Sequence, residues 1–318
     1  MILKHILKGK NILVTGGAGF IGSHLVEHLA VKNNVTILDD LSTGRIGNLK
    51  GFRNRTKFIE GSILDVTLLK KIMKDIEIVF HEAALPSVER SIRDPKTTHE
   101  IDATGTLNVL LAARDCAVGR VVYASSSSIY GDTPELPKNE NMHLNPLSPY
   151  AVSKATGELY CKVFASVFGL NVVSVRYFNV FGARQDPNSQ YAAVIPRFIT
   201  LMMDGKRPLI FGDGTQTRDF TFIYNVIHGT ELAAVSNGVS GEVLNIACGN
   251  QISVNALVKM LNDILAKDIE PIYKSQRPGD VKHSRADITK AQRLLGYKEV
   301  IGFEEGLRMT VEYFRKSH

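Results

Sequence analysis

Tyr150 and Lys154 stand four residues apart in the stretch "SPYAVSK", so on a helix their side chains lie on the same face. A phenol with a pKa of about 10 is a poor base at neutral pH, but a nearby ammonium group favours the phenolate and lowers that pKa. Such a pair is suited to exchange a proton with a substrate hydroxyl. Because the same spacing also occurs in ordinary surface contacts, the pair needs support from elsewhere in the chain.

Four consecutive serines, Ser125 to Ser128, end the apolar run "RVVYAS" about one loop upstream of Tyr150. A serine hydroxyl both donates and accepts hydrogen bonds, so a serine here is expected to bind the substrate oxygen and relay its proton. The alternative reading of Ser127 and Ser128 is that they are local caps at a strand end.

A glycine-rich turn follows the apolar stretch "NILVT" and opens a helical pattern, with Gly16, Gly19 and Gly22 at intervals of three. Such glycines let backbone N–H groups approach a pyrophosphate at a helix N-terminus. Asp39 ends the second apolar stretch, where a carboxylate accepts hydrogen bonds from a ribose hydroxyl and repels a 2′-phosphate. The pattern predicts NAD rather than NADP, although Asp39 also fits a strand-end cap and the nearby Arg45 leaves the cofactor choice open.

Apolar segments alternate with helical patterns through the first half of the chain, and each segment is continuously apolar. This pattern is typical of strands buried on both faces in a parallel sheet. We therefore predict an α/β fold, a doubly wound parallel Rossmann sheet with a second, smaller α/β substrate-binding lobe. Residues 1–175 are expected to form the NAD-binding domain and residues 176–318 mainly the substrate lobe, interleaved with the first. Strands are predicted at 11–15, 35–39, 57–60, 76–84, 120–125 and 171–178, and helices at 20–32, 101–115 and 149–168.

The composition fits a globular protein of 318 residues, with a net charge of +6 and 44% hydrophobic residues. Because the lysines and arginines do not form runs, nucleic acid is not expected as a partner. The chain has no apolar run long enough to cross a membrane, and its first residues are too briefly apolar for a secretion signal. Three widely spaced cysteines suggest neither a metal site nor a disulfide framework, so no metal and a cytoplasmic location are predicted.

Taken together, these motifs resemble those of the extended short-chain dehydrogenase/reductases, and specifically the NAD-dependent UDP-hexose 4-epimerases. The resemblance implies a tightly held NAD that oxidises the sugar's 4-hydroxyl to a ketone and then returns hydride to the opposite face. It also implies a homodimer formed through the helices near 95–115 and 150–168. The matching segments span nearly the whole chain: "GGAGFIG" (16–22), "HEAA" (81–84), "SSSSIYG" (125–131), "SPYAVSK" (148–154), "RYFNVFG" (176–182), "TRDFTFI" (217–223) and "RPGD" (277–280), with Asp39 and Asn108.

The resemblance also implies roles for individual residues. The residues to which it assigns catalysis are Ser126, Tyr150 and Lys154. The residues that it places against NAD are Gly16, Gly19, Phe20, Ile21, Gly22, Asp39, Ile63, Ala83, Ala84, Tyr150, Lys154 and Tyr177. Those that it places against the UDP-sugar are Ser87, Ser126, Ser127, Ser128, Tyr150, Asn179, Val194, Arg218, Arg277, Asp280 and Ser284. The arginines and the aspartate of this set suit the binding of a sugar nucleotide, since guanidinium groups bind phosphate oxygens and carboxylates bind ribose hydroxyls.

Two features narrow the reaction. In sister dehydratases an acidic pair follows the catalytic serine or threonine, and related decarboxylases have a glutamate at the second position. Here Ser127 and Ser128 follow Ser126, so we expect no carboxyl group to divert the keto sugar. Ser284 stands where a tyrosine, in the family, admits only glucose and galactose, so a small residue leaves room for an N-acetyl group.

The sequence therefore predicts interconversion of UDP-N-acetylglucosamine and UDP-N-acetylgalactosamine, with UDP-glucose and UDP-galactose as a wider range. The alternatives left open are a UDP-glucuronate 4-epimerase, a nucleotide-sugar dehydratase or decarboxylase, and a non-catalytic NAD-sensing regulator. Ser62 stands where most relatives have an aspartate that bonds adenine. Asp65 is the candidate to replace that aspartate, which leaves the retention of NAD open.

Overall fold

The computed structural model describes residues 3–187, 194–275 and 282–317. Its strands are β1 (Asn11–Thr15), β2 (Asn34–Asp39), β3 (Thr56–Glu60), β4 (Ile78–His81), β5 (Arg120–Ser126), β6 (Val172–Tyr177), β7 (Val180–Phe181), β8 (Leu209–Phe211), β9 (Thr217–Arg218), β10 (Thr221–Phe222), β11 (Val243–Ile246), β12 (Ile252–Ser253) and β13 (Ile272–Lys274). Its helices are α1 (Phe20–Leu29), α2 (Val66–Ile72), α3 (Val88–Arg93), α4 (Pro95–His99), α5 (Gly105–Asp115), α6 (Pro149–Phe168), α7 (Val194–Met203), α8 (Ile223–Val235), α9 (Val254–Leu265), α10 (Thr289–Leu295) and α11 (Phe303–Ser317). A π-helical turn, Glu100–Thr104, leads into α5.

Seven strands form one parallel sheet in the order β11–β6–β5–β4–β1–β2–β3. Both faces of this sheet are covered. Ile12 and Val14 of β1 pack in one apolar cluster with Leu25 of α1, whereas Leu13 packs in a second cluster with Val109 of α5. Because neighbouring residues of one strand enter different cores, the predicted doubly wound sheet is confirmed.

The strand order reverses direction beside β1, which lies between β4 and β2. In open α/β sheets such a reversal opens a crevice at the carboxyl ends of the strands, where ligands bind. Strand β4 is shorter than predicted and ends at His81, so Glu82, Ala83 and Ala84 form a loop at the edge of this crevice. The first glycine of the turn after β1 therefore faces the loop after β4.

Helix α6 begins and ends where its sequence signals place it. The Ser148 side chain accepts a hydrogen bond from the N–H of Ala151, and Pro149 is the first helical residue. Gly169 ends the helix in the left-handed conformation, with a φ of 68°. These signals determine the phase of the helix, so Tyr150 lies in its first turn and Lys154 one turn later.

The residues after β6 build the remaining layers. Three two-stranded sheets pair β7 with β10, β9 with β12 and β8 with β13, while α7, α9 and α11 pack against one another. Strand β11 nevertheless joins the central sheet, and α8 packs against β5 and β6. In the part of the chain that the structure describes, no helix combines the length and apolarity needed to span a bilayer.

Candidate active site

Tyr150, Lys154 and Ser126 meet where the carboxyl end of β5 approaches the first turns of α6. Tyr150 shares a side-chain hydrogen bond with Ser126. Lys154 is 3% exposed, and its Nζ donates a hydrogen bond of 2.7 Å to the carbonyl oxygen of Ala124. The predicted base, its hydroxyl partner and its neighbouring ammonium group are thus held by two adjacent elements.

The pKa of Tyr150 differs from the sequence expectation. Burial raises the pKa of this phenol well above its ordinary value, and the charges of Asp102 and Glu82 raise it further. The hydrogen bond from Ser126 acts in the opposite direction. Burial also lowers the pKa of Lys154, which Asp102 and Glu82 partly offset. Removal from water therefore outweighs any help that Tyr150 receives from the lysine.

The row of serines does not act as one unit. Ser125 is buried and donates a hydrogen bond to Glu158, so its hydroxyl belongs to the interior. The Ser126 hydroxyl accepts a hydrogen bond of 3.2 Å from the N–H of Ser128 and so caps the turn that follows β5. Buried Ser128 Oγ has no hydrogen-bond partner among the described residues, and such a hydroxyl is suited to bind a ligand. Ser127 is partly exposed beside it.

A buried ion pair supports this corner of the sheet. Arg176 of β6 donates hydrogen bonds of 2.9 and 2.7 Å to the two carboxylate oxygens of Glu158 on α6, and both side chains are less than a twentieth exposed. The same guanidinium donates to the phenol oxygen of Tyr130, which in turn donates to Asn245 of β11. Helix α6 is thereby joined to two strands, β6 and β11, and to the turn that follows the serine row, which helps to hold Tyr150 beside Ser126.

The turn after β1 has the shape of a phosphate cradle. Gly16 has a φ of +70°, and a side chain there would approach the backbone of Ala83 to 2.6 Å. A side chain at Gly22 would approach the carbonyl oxygen of Gly16 to 2.2 Å. Gly19 precedes α1, and no described side chain caps this helix, whose first residues are Phe20 and Ile21. The N–H groups of the first turn are therefore available to an anion.

Asp39 closes the cradle from the end of β2. Its carboxylate accepts hydrogen bonds of 2.8 Å from the N–H groups of Ala18 and Leu41. These bonds fit the strand-end cap considered above, and they also hold the glycine turn against β2. Each carboxylate oxygen keeps a further acceptor site for a ribose hydroxyl. Burial raises the pKa of Asp39, and the two backbone bonds oppose that shift.

Other residues predicted to contact NAD line the same crevice. Buried Ile63 is held through its carbonyl oxygen by the amide of Asn108, at 3.3 Å. Ala83 and Ala84 form the half-buried loop against Gly16, and Tyr177 ends β6 nearby. Asp65 accepts a hydrogen bond from the N–H of Leu68 and so caps α2.

The residues predicted to bind the sugar nucleotide have several local roles. The hydroxyl of Ser87 caps α3 by accepting from the N–H of Arg90, while Val194 is the first residue of α7. The amide of Asn179, whose φ is 36°, donates to the carbonyl oxygen of Asp219. Arg218 donates to the carbonyl oxygens of Thr217 and Lys282. Arg277 and Asp280 lie outside the described residues.

Ser284 lies in a segment that is anchored on both sides of it. Its backbone N–H donates to the carbonyl oxygen of Thr217 on β9, at 3.1 Å. Two residues later, Ala286 donates to buried Asp219 and packs with Ile129, close after the serine row. The Asp219 carboxylate also accepts hydrogen bonds from the backbone N–H groups of Cys248 and Gly249, so it connects the segment of Ser284 to the loop after β11. The segment of Ser284 is thus held against β9 on one side and packs with Ile129 on the other.

Comparison with known proteins agrees with this geometry. Residues 12–247 match the NAD dependent epimerase/dehydratase family. The chain belongs to this family. As a member of the family it is an NAD-dependent enzyme, and it is 39% identical over 310 residues to a putative UDP-glucose 4-epimerase of Methanocaldococcus jannaschii, covering 96% of this chain and 99% of the relative.

Two solved structures of epimerases extend the comparison. A UDP-N-acetylglucosamine 4-epimerase from Methanobrevibacter ruminantium superposes with a TM-score of 0.95 at 42% identity, covering 98% of this chain and all of that one. A UDP-glucuronic acid 4-epimerase from Bacillus cereus, solved with NAD and UDP-glucuronic acid, has a TM-score of 0.90 at 35% identity, covering 97% of this chain and 100% of that one. More distant matches include a decarboxylase and a dehydratase. The chain is thus an isomerase of the UDP-sugar 4-epimerase type, and the comparisons leave its sugar open.

The epimerase also contains two carboxyl groups that motif comparison missed, half-buried Glu82 and buried Asp102. Glu82 follows β4, and burial raises its pKa to about 7. Asp102 lies in the π-helical turn, where burial raises its pKa to about 6; its Oδ1 accepts from the N–H of Leu85, and its Oδ2 finds no partner within the described ranges. The expectation that no carboxyl group diverts the keto sugar was drawn from the two positions after Ser126 and stays a prediction, although the charges of Glu82 and Asp102 act on Tyr150 from other segments. A polar residue directly after a buried strand was the available signal for Glu82.

Proposed function

We propose that this epimerase interconverts UDP-N-acetylglucosamine and UDP-N-acetylgalactosamine through a 4-keto sugar, with UDP-glucose and UDP-galactose as further substrates. The hydrogen-bonded pair of Ser126 and Tyr150, facing the cradle across the crevice, carries the proposal of chemistry at a hydroxyl. The small side chain of Ser284, two residues before the Ala286 that packs with Ile129, supports the acetylated sugar. The similarity to a UDP-N-acetylglucosamine 4-epimerase points the same way.

In this proposal each reacting group moves or holds one proton. Ser126 binds the sugar's 4-hydroxyl and passes its proton to Tyr150, and the return step reverses this transfer. Lys154, fixed by the carbonyl oxygen of Ala124, keeps a positive charge one turn from the phenol. Bound NAD supplies the acceptor and donor of hydride. The cradle formed by Gly16, Gly19 and Gly22 is the proposed site of its pyrophosphate, with Asp39 toward a ribose.

The sugar nucleotide is proposed to lie across the serine row. Ser128 Oγ offers a buried hydroxyl that still needs a partner, and Ser127 borders it. Asn179, Val194 and Arg218, with Ser87 on the opposite loop, are proposed to surround the diphosphate and the nucleoside. Arg277 and Asp280 stay predictions for the same task.

Incubation with UDP-N-acetylglucosamine, without added NAD, tests the proposal by proton NMR of the product. We expect the C4 epimer at constant total sugar, and we expect Tyr150→Phe to lower turnover by about a hundredfold or more. Thr156→Ala, which removes an exposed hydroxyl from α6, is the matched control and should keep full activity. An eliminated or decarboxylated product would instead identify a dehydratase or decarboxylase. Turnover confined to UDP-glucuronate would identify the alternative epimerase, and no turnover of any sugar would favour the regulator.

A homodimer and a cytoplasmic location complete the proposal. Helix α6 carries an exposed apolar face beside α3, which packs against it. This α6–α3 face is made of Val88, Ile92, Val152, Leu159, Val163 and Val167, each more than two-fifths exposed. Contiguous exposed apolar surface of this kind is typical of a protein interface.

The three free cysteines, all in the described part of the chain, support the proposal of a reducing compartment.

A further inference from the structure

Glu82 begins a chain of hydrogen bonds that the proposed reaction does not use. Its Oε1 lies 2.9 Å from the phenol oxygen of Tyr177 on β6, which lies 2.9 Å from the hydroxyl oxygen of Thr230 on α8. Thr230 in turn donates a bond of 2.7 Å to the carbonyl oxygen of Val226. Tyr177 and Thr230 are both buried. The chain therefore runs from the edge of the crevice into the core on the other side of the sheet.

The number of protons limits how this chain can be arranged, because each hydroxyl donates only one hydrogen. With a neutral Glu82, every bond is made in one direction: the carboxylic acid donates to Tyr177, Tyr177 to Thr230 and Thr230 to Val226. With an ionised Glu82, Tyr177 must donate to the carboxylate, and it can no longer donate to Thr230. Protonation of Glu82 thus decides the direction of the chain.

The groups that face Glu82 link its charge to the reacting pair. Lys154 on α6 favours the carboxylate, while burial favours the neutral acid and raises the pKa of Glu82 to about 7. The carboxylate raises the pKa of Tyr150, Lys154 and Tyr177. His81, its neighbour on β4, is neutral because burial lowers its pKa to about 3. Glu82 consequently changes charge near neutral pH while facing the predicted base.

We propose that Glu82 is a positioning residue whose proton, held through Tyr177 and Thr230, sets the charge beside Tyr150 and Lys154 and so adjusts the readiness of the phenol to accept a proton. The proposal deepens the proposed function and rests on Tyr150 being the base. A neutral Glu82 lowers the pKa of Tyr150 relative to an ionised one, so a larger fraction of the phenol is ionised and able to accept the sugar's proton. An ionised Glu82 raises that pKa, so the phenol stays protonated and gives up its proton less readily.

The first test measures ionisation directly and needs no turnover. The ultraviolet absorbance of phenolate is followed against pH in the purified full-length protein, and the Tyr150 component is identified by its loss in Tyr150→Phe. Glu82→Gln keeps the shape and the bond to Tyr177 but removes the charge. We expect it to move the titration of Tyr150 down by roughly one pH unit, whereas Glu82→Asp should restore most of the shift. Glu100→Gln, on the exposed side of the π-helical turn, is the control and should move nothing.

The second test uses thermal unfolding. Because the pKa of Glu82 is raised from 4.5 to about 7 in the folded protein, the folded state keeps a proton that the unfolded chain releases, and stability falls as pH rises through this window. Relative to Glu82→Gln, the melting temperature of the natural protein should therefore fall by about 5 °C between pH 5 and pH 8. Thr230→Val removes the acceptor of Tyr177 and favours the ionised carboxyl, so the fall should be smaller and should end at lower pH.

The two tests can fail independently of the proposed function. A constant difference in melting temperature across the range, or an unmoved Tyr150 titration in Glu82→Gln, would overturn the role of Glu82. Neither result would affect epimerisation that disappears in Tyr150→Phe. An active Tyr150→Phe variant would instead remove the proposed base, whatever Glu82 does.

Discussion

The pKa of Tyr150 is set by interactions that act in opposite directions. Burial and two nearby carboxyl groups raise its pKa, whereas the hydrogen bond from Ser126 lowers it. A phenol in this position is protonated at rest, and it accepts a proton only while a substrate hydroxyl releases one. Placing the proton donor and acceptor in contact is therefore more important here than a permanently ionised base.

At the same scale, Ser284 is expected to decide which sugar is accepted. Ser284→Tyr should fill the space proposed for the N-acetyl group and lower kcat/KM for UDP-N-acetylglucosamine by about a hundredfold, while kcat/KM for UDP-glucose stays within about threefold. Ser284→Ala keeps the space open and serves as the matched control. The measurement is epimer formation from each sugar in parallel. An unchanged ratio between the two sugars in Ser284→Tyr would show that this residue does not select the substrate.

Among the elements, α6 has two functional sides. The side that carries Tyr150 and Lys154 also carries Glu158 of the buried ion pair one turn later, and a further side is the exposed α6–α3 face. The start of the helix is determined locally by Ser148 and Pro149, but its hold on the sheet depends on Arg176, which comes from a different strand. The reacting residues are thus positioned by a contact that local sequence does not reveal.

The ion pair on α6 gives the prediction for this scale. Glu158→Gln removes the negative charge and leaves the buried guanidinium of Arg176 without its partner, which should lower the free energy of unfolding by about 3–5 kcal/mol. Chemical denaturation followed by circular dichroism measures the loss. Glu304→Gln breaks an exposed pair with Arg308 on α11 and should leave stability unchanged. Equal stabilities of the two variants would contradict a supporting role for the buried pair.

For the whole molecule, local patterns predicted the parts that repeat a simple physical rule. The apolar strands β1 to β6, the glycine turn and the capped helix α6 all follow from residue order, and each is present. Long-range choices were beyond such patterns. No local signal places β11 beside β6, or predicts that Ser125 bonds Glu158 while Ser126 bonds Tyr150. Nor does one predict that Glu82 and Asp102 act on Tyr150. These features depend on which loops pack together and on how burial changes the pKa of a carboxyl group.

Assembly is the remaining property at this scale, and the α6–α3 face makes it testable. Leu159 and Val163 lie on α6, the helix that also carries Tyr150. If two copies of the chain packed these residues against each other, their apolar surface would be removed from water. We therefore expect a dimer by light scattering or analytical ultracentrifugation, and a monomer for the double variant Leu159→Arg/Val163→Arg. Val31→Arg introduces the same charge at an exposed valine just after α1 and should remain dimeric. A double variant with the mass of the natural protein would place the interface elsewhere, and a monomeric natural protein would exclude the dimer. Because α6 also bears the reacting residues, loss of the dimer should loosen their support and reduce turnover along with the mass.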